Sequence, residues 1–352
     1  MYFFLITILL TLLLIILGYY QIVGKLSVWK KTNRLLKYFL MTIPLIILII
    51  LFDYINTLII LIYFLIFTGI IKFLFYLLKK ENHNLIILIA VLCTITYLGY
   101  GMYQDYHIKE TTYRLTTAKN LGQENFRILQ ITDAHIGATM NGQKFYQKMQ
   151  ELRNISCDLV VITGDFVDDD TKYQDMIKSV EGLSLLKPQY GTIFVYGNHD
   201  KGYFQNRDFN NDIFIEELKK YHILVLEDNI YDVNNYITII GRKDKSDATR
   251  KSIQELTKNL DKQKYLISLN HQPNDYQNEA NNVDLVISGH THGGQLFPLG
   301  PFSVLIGSND AYYGYERRNN TDFIISSGIS NWALKFKTGT KSEYVIIDIK
   351  KE

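Results

Sequence analysis

The chain has 352 residues, with 37 Lys and Arg against 35 Asp and Glu for a formal net charge of +2, eight His and two Cys. Cys93 lies in an apolar stretch and Cys157 near a strand start, so no disulfide framework is implied. Residues 1–104 hold eight Lys or Arg and two acids, net +6, which leaves the remainder at −4. That slightly acidic remainder argues against nucleic acid as a partner, because a phosphate backbone needs a basic footprint.

Four apolar segments open the chain, at residues 2–23, 35–52, 57–78 and 85–102, each near the length that crosses a bilayer. They predict a four-helix transmembrane region over residues 1–104. No Lys or Arg precedes the first segment, so a cleaved signal peptide is the weaker reading. Pro44 predicts a kink in the second span. Lys72 lies within two turns of the end of the third span and reads as a snorkelling side chain. The first connection carries Lys25, Lys30, Lys31, Arg34 and Lys37 with no acid, the second only Asp53, and the third Lys79 and Lys80 against Glu81. The excess of bases predicts that the first and third connections are cytoplasmic, with everything after Met102 on the outer side of a cell membrane. Membrane lipids are therefore expected partners. Residues 105–125 read as a short polar linker.

From residue 126 the pattern changes. Short apolar runs at 126–131, 159–163, 192–196, 265–269 and 283–288 have the length and β-branched content of buried strands. Stretches of helical periodicity lie between them, roughly at 142–154, 172–186, 211–221 and 247–260. Alternating strands and helices predict one α/β domain over residues 126–352, with ligands bound beyond the carboxyl ends of the strands.

Those strand ends carry the chemistry. Asp133-Ala134-His135, Gly164-Asp165, Gly197-Asn198-His199-Asp200, Asn270-His271 and Gly289-His290-Thr291-His292 follow the five runs in order, and they use five of the eight histidines. Carboxylate and amide oxygens mixed with imidazole nitrogens, and no thiolate, suit manganese, iron or zinc in an open catalytic site, manganese foremost. Seven potential ligands are too many for one tetrahedral ion, and a carboxylate can bridge two. Two divalent cations are expected, clamping the attacking and leaving oxygens of a displacement at phosphorus.

The set resembles the calcineurin-like metallophosphoesterases, whose pattern is D-x-H, G-D, G-N-H-D/E, a lone His and G-H-x-H. The string Gly289 to Gln295 is similar to that of a membrane-associated bacterial subgroup. The resemblance implies a layered αββα sandwich with mixed sheets. It also implies that Asp133, His135 and His292 hold one metal, Asn198, His271 and His290 the other, and that Asp165 bridges them. His199 is then the acid or charge stabiliser at the leaving group, with Asp200 orienting it. The implied reaction is hydrolysis of a phosphate ester or anhydride by a metal-bridging hydroxide. At Leu334-Lys335-Phe336-Lys337 the chain departs from related sequences, which often carry a Pro and an Arg there. The departure bears on the substrate, not on the metal site.

A short polar junction after the last span would hold such a domain against the bilayer, so a lipid-linked or envelope phosphoester is the expected substrate. Two alternatives stand beside it: a pyrophosphohydrolase of a lipid-linked nucleotide, and a non-catalytic membrane scaffold that retains the metal site. Asp168 to Asp170 read as a solvated acidic loop, with Asp168 alone a candidate to support the metal ligands. His83, His107 and His222 read as surface or interfacial residues. Tyr312, Tyr313, Arg317 and Arg318 form an aromatic and basic cluster that reads as a solvated loop, with a substrate-facing lid as the alternative.

Overall fold

Continuous apolar sequence buries itself first as helix. In the structure, a computed structural model that describes residues 2–80, 82–202 and 206–352, with side chains from Leu10 onward, three helices occupy the N-terminal part. They are α1 (Tyr2–Val23), α2 (Arg34–Leu77) and α3 (His83–Tyr106). Two of them, α2 and α3, are long and apolar enough to cross a membrane. Glu81, counted above in the third connection, lies outside the described residues.

Four separate helices were expected, and the second and third are one helical run. The run is broken at Asp53, whose φ of 69° and ψ of 175° are not helical. The break reverses the chain. Tyr19 donates its hydroxyl to the Met41 carbonyl at 2.9 Å and packs its ring edge-on to Phe64, centroids 6.4 Å apart. In an unbroken helix Met41 and Phe64 would be about 35 Å apart at 1.5 Å per residue. Asp53 also starts the second half, because its carboxylate accepts the Asn56 backbone N–H at 2.9 Å and the Asn56 side-chain amide at 2.9 Å, as an N-cap does.

The chain divides into two compact units, residues 1–103 with 334–336, and residues 104–333 with 337–352. In the second unit the segment expected as a linker carries a strand, β1 (Lys109–Thr117), after the last turn of α3. Its alternation of charged and half-buried residues, KETTYRLTT, gave no apolar run to find. The other strands are β2 (Asn125–Ile131), β3 (Leu159–Thr163), β4 (Thr192–Val195), β5 (Ile223–Leu226), β6 (Asn229–Asp232), β7 (Ile237–Gly241), β8 (Tyr265–Leu269), β9 (Leu285–Ser288), β10 (Gly314–Arg318), β11 (Thr321–Ile325) and β12 (Glu343–Lys351).

They form two six-stranded mixed sheets, in the orders β1-β12-β2-β3-β4-β5 and β10-β11-β9-β8-β7-β6. Strands β2 to β5 are parallel, as are β7, β8, β9 and β11, so each sheet presents several carboxyl ends at one edge. Strands buried on both faces read as unbroken apolar runs, and β3 and β8 are buried at every residue. Ile128, Val161 and Val195 of one sheet meet Ile239, Ile267 and Ile287 of the other in the central core.

Helices cover the outer faces. α4 (Gly142–Leu152) is capped by Asn141 and buries Phe145, Met149 and Leu152. α5 (Tyr173–Leu183) buries Met176, Val180 and Leu183, and α6 (Asn211–Lys220) buries Phe214 and Leu218. A capping box from Ser252 to Glu255 starts α7 (Ile253–Thr257) over the second sheet. Layers of helix, sheet, sheet and helix result, the αββα sandwich.

Candidate metal centre

Five loops leave the strands at one edge and bring their polar residues together. Asp133 and His135 follow β2, Asp165 follows β3, Asn198 and His199 follow β4, His271 follows β8, and His290 and His292 follow β9. The turns are sharp. Asp133, His135, Asp165, His290 and His292 all have left-handed φ, between 40° and 70°. For non-glycine residues such backbone costs of order 1–3 kcal/mol each and persists only where the surroundings enforce it. Gly197 and Gly289 supply the close approaches, since a Cβ on either would overlap a carboxylate, that of Asp165 and that of Asp133 respectively.

Two donor groups result. Ligand atoms of Asp133, His135 and His292 lie within 4.8 Å of one another, and so do those of Asp165, His271 and His290. The Asp165 carboxylate stands between the groups, 3.6 Å from His135 Nε2 and 3.1 Å from His271 Nε2. In the first group the two Nε2 atoms of His135 and His292 face each other at 3.2 Å, and His292 Nε2 is 3.6 Å from Asp133.

The other ring nitrogens fix the tautomers. His271 Nδ1 donates to the Thr163 carbonyl at 2.7 Å, His292 Nδ1 to the Ser330 carbonyl at 3.2 Å, and His135 Nδ1 to Asp168 at 3.0 Å. Each Nε2 lone pair is thereby turned inward, the arrangement metal-binding histidines use. Asn198 Oδ1 and His271 Nε2 are buried with no hydrogen-bond partner. Buried polar atoms without partners are costly, and a cation between them removes the cost. The donor set therefore fits two divalent cations.

The group beside His199 differs from the expected one. Asp200 does not orient His199 through its carboxylate, whose oxygens accept the backbone N–H groups of Asp165, Phe166, Val167 and Gly197 at 2.7–3.1 Å. It ties the Asp165 turn to the Asn198 turn. Burial and the charge of Asp165 push the Asp200 carboxyl up to about 6, against the pull of the N–H donors. Asp168 orients His199, with one oxygen 3.0 Å from His199 Nδ1 and the other on His135. Burial pulls the His199 imidazole down, but the Asp168 hydrogen bond and the charge of Asp165 outweigh it and raise its pKa. The same two histidines outweigh burial at Asp168 and hold it far below the usual carboxylate range.

Arg207 and Trp332 had no sequence signal, and Lys337 only that of the departure at residues 334–337, which was assigned to the substrate and not to the metal site. The Arg207 guanidinium donates to the carbonyls of Asp168, His199 and Asp200 at 2.5–2.7 Å and clamps the loops around His199. The Trp332 indole, half exposed, lies with its ring centre 5.9 Å from that of His199. Lys337 is fully buried, and its ammonium donates to the carbonyls of Ser327, Gly328 and Ser330, the last also the partner of His292. Burial pushes the lysine down to about 8, opposed by Asp105 and Glu343. Asn331 in the same loop donates its side-chain amide to Asp105 on the last turn of α3.

The aromatic and basic cluster is structural. Arg317 and Arg318 lie on β10 and pair with Asp322 and Glu316, and Tyr313 donates to Glu343.

Fold and site together define a dimetal, metal-dependent phosphoesterase with a buried cluster of His and Asp. The calcineurin-like phosphoesterase family matches the chain over residues 126–294. An uncharacterized metallophosphoesterase from Aquifex aeolicus is 30% identical over 261 residues, which cover 72% of this chain and 95% of that one. The chain belongs to the calcineurin-like phosphoesterase family. A transmembrane protein with metallophosphoesterase domain from Danio rerio is 26% identical over 64% of this chain and 53% of its own length. The crystal structure of a dimetal phosphatase from Danio rerio is 13% identical, with a TM-score of 0.37 over 58% of this chain and 87% of that one.

Proposed function

We propose that the protein is a membrane-anchored phosphoesterase that hydrolyses a phosphate ester or anhydride borne by a lipid or an envelope polymer, with its catalytic unit on the outer side of a cell membrane. One observation carries the substrate class. Four residues after His292 begins a segment, residues 296–309, without a single charged side chain. Phe297, Leu299, Phe302, Leu305 and Ile306 in it are all more than half exposed. The segment is also tied down beside the metal loop, because the Gln295 carbonyl accepts the N–H groups of Thr338 and Gly339, and Phe297 N–H donates to Thr338. Exposed apolar surface this close to a phosphoesterase site suits a substrate that arrives in a lipid layer.

Support for the anchor comes from α2 and α3, both long and apolar enough to cross a membrane. With the reversal at Asp53, four passes are inferred. The basic first connection then lies in the cytoplasm. The relative from Danio rerio is named a transmembrane protein with metallophosphoesterase domain, which agrees with this reading.

In this reading Asp133, His135 and His292 hold one cation, Asn198, His271 and His290 the other, and Asp165 both. Manganese fits the mixed oxygen and imidazole donor set, with iron or zinc as alternatives. Bound there, the cations supply an activated water and neutralise charge on the phosphoryl oxygens. His199 holds its proton through Asp168 and delivers it to the leaving oxygen. The exposed Trp332 face beside it packs against an apolar leaving group.

A substrate screen of the purified full chain tests the proposal, with manganese, iron or zinc against aryl phosphates, phosphodiesters and lipid pyrophosphates. Turnover that favours lipid-borne substrates is expected. Silence on every substrate with every metal would leave only the scaffold reading. A phosphatase reporter that is active when fused at residue 31 and inactive after residue 125 would reverse the topology and turn attention to lipid-linked nucleotides.

A further inference from the structure

Lys72 is the one charged residue inside the second half of α2, and snorkelling was the expectation for it. In the structure it lines a cavity of about 530 Å³ within the helical unit. Two more lysines line the same cavity from different segments, Lys25 after α1 and Lys80 in the turn before α3. No carboxylate lines it among the described residues. Nor, among them, does any of the three lysines take part in an ion pair.

Tyr76 of α2 also lines the cavity, whereas the Thr68 hydroxyl and His83 Nε2 in the same wall are already engaged, donating to the Phe64 carbonyl at 2.7 Å and to the Ile22 carbonyl at 2.9 Å, the latter fixing the ring between α1 and α3. Gly69, also in the wall, leaves open space where a side chain would stand. The remaining wall is apolar, and Ile22, Leu65, Phe75 and Ile86 belong to the packed cluster of the helical unit. The volume is in the range of small-ligand sites.

We infer that this cavity binds the phosphate of an anionic membrane lipid, with Lys25, Lys72 and Lys80 around the phosphate and the acyl chains along the apolar wall. Three like charges converging on one space repel each other, and a phosphate there turns the repulsion into attraction. Simple snorkelling explains Lys72 alone, because it predicts a side chain reaching for the interface independently of its neighbours. It does not explain why lysines from three segments share one half-open cavity with an apolar wall. Basic pockets between membrane helices on the cytoplasmic side are known to hold anionic headgroups. The inference rests on the membrane reading above and adds a site lined by none of the metal-centre residues.

The test uses the full chain in nanodiscs of equimolar phosphatidylglycerol and phosphatidylcholine, with native mass spectrometry of the lipids that remain bound. Wild type is expected to retain phosphatidylglycerol about tenfold over phosphatidylcholine, one decade in an equilibrium constant. The double variant Lys25→Gln, Lys72→Gln is expected to bring the ratio to one while turnover of a soluble aryl phosphate is unchanged. Equal retention of the two lipids by the wild type would overturn the inference, whatever the variant does. Added inorganic phosphate that strips the phosphatidylglycerol would overturn the lipid as the source of the anion. Failure of the chain to enter nanodiscs would overturn the membrane reading as well, whereas entry without enrichment overturns the pocket alone.

Discussion

The two donor groups draw on nearly the same residue types and differ in enclosure. Asp133, His135 and His292 are 0, 0 and 5% exposed, and each is fixed from behind, by the His290 backbone N–H, by Asp168 and by the Ser330 carbonyl. In the second group Asn198 and His290 are only partly buried, and Asn198 Oδ1 and His271 Nε2 have no hydrogen-bond partner. Donors held in place before the ion arrives lose little freedom on binding it, and those behind them tune affinity by one to two decades. The difference predicts tighter retention of an ion at the first group and faster exchange at the second.

The largest effect should come from the residue that belongs to both groups. Asp165→Asn removes the only carboxylate between the two sets of imidazoles and should cost more than about four decades of turnover, a loss of several kcal/mol of charge stabilisation. Metal content by elemental analysis should fall below two per chain. A variant with two ions and a rate within tenfold of wild type would erase the distinction between shared and private ligands.

His199→Ala should leave both groups loaded and cost two to four decades on substrates with poor leaving groups, the usual worth of a positioned acid. With an acidic aryl leaving group the loss should shrink. An equal loss on both kinds of ester would assign His199 to binding instead of proton delivery.

Much of this was legible without coordinates, and the reasons are particular. β3 and β8 are buried on both faces and read as unbroken apolar runs, so the metal motifs at their ends could be placed. The edge strands β1 and β6 carry no such signal. All four residues of β6 are exposed, and β1 pairs on one side only. Asp200 was misread because it adjoins His199 in sequence, which says nothing about side-chain direction after a sharp turn. Asp168 stood out from three acids in a loop as a support for the metal ligands, and it takes His135 as such; that its other oxygen takes His199 had no signal in the sequence. Asp53 marked a connection between two helices, but only its backbone angles tell that one residue suffices to reverse the chain. Lys337 stood in a stretch that departs from related sequences, but nothing in that departure tells that its ammonium holds the loop behind His292.

Asp168→Asn sharpens the comparison because it supports only the tighter group. Its carboxylate aims His135 and holds the proton on His199, so its loss should weaken the first metal by about 10- to 100-fold and leave the second alone. Stepwise chelation read by isothermal titration should show wild type releasing the second-group ion first and the variant losing that order. If both ions weakened together, the two groups would be one cooperative unit.

The smallest effect is expected at Lys337, which reaches the first group only through a carbonyl. Its ammonium holds the carbonyls of Ser327, Gly328 and Ser330, and Ser330 in turn positions His292. Lys337→Met keeps the length and removes the donors, which leaves buried carbonyls without a partner at a cost of about 1–3 kcal/mol in stability. The loop can then relax, and affinity at the first group should fall about tenfold while the second group keeps its ion. Lys337→Arg restores the donors and should recover part of the affinity. A Met variant that lost stability but bound metal like wild type would make Lys337 a packing residue. It would also confine the tuning of the tighter group to Asp168.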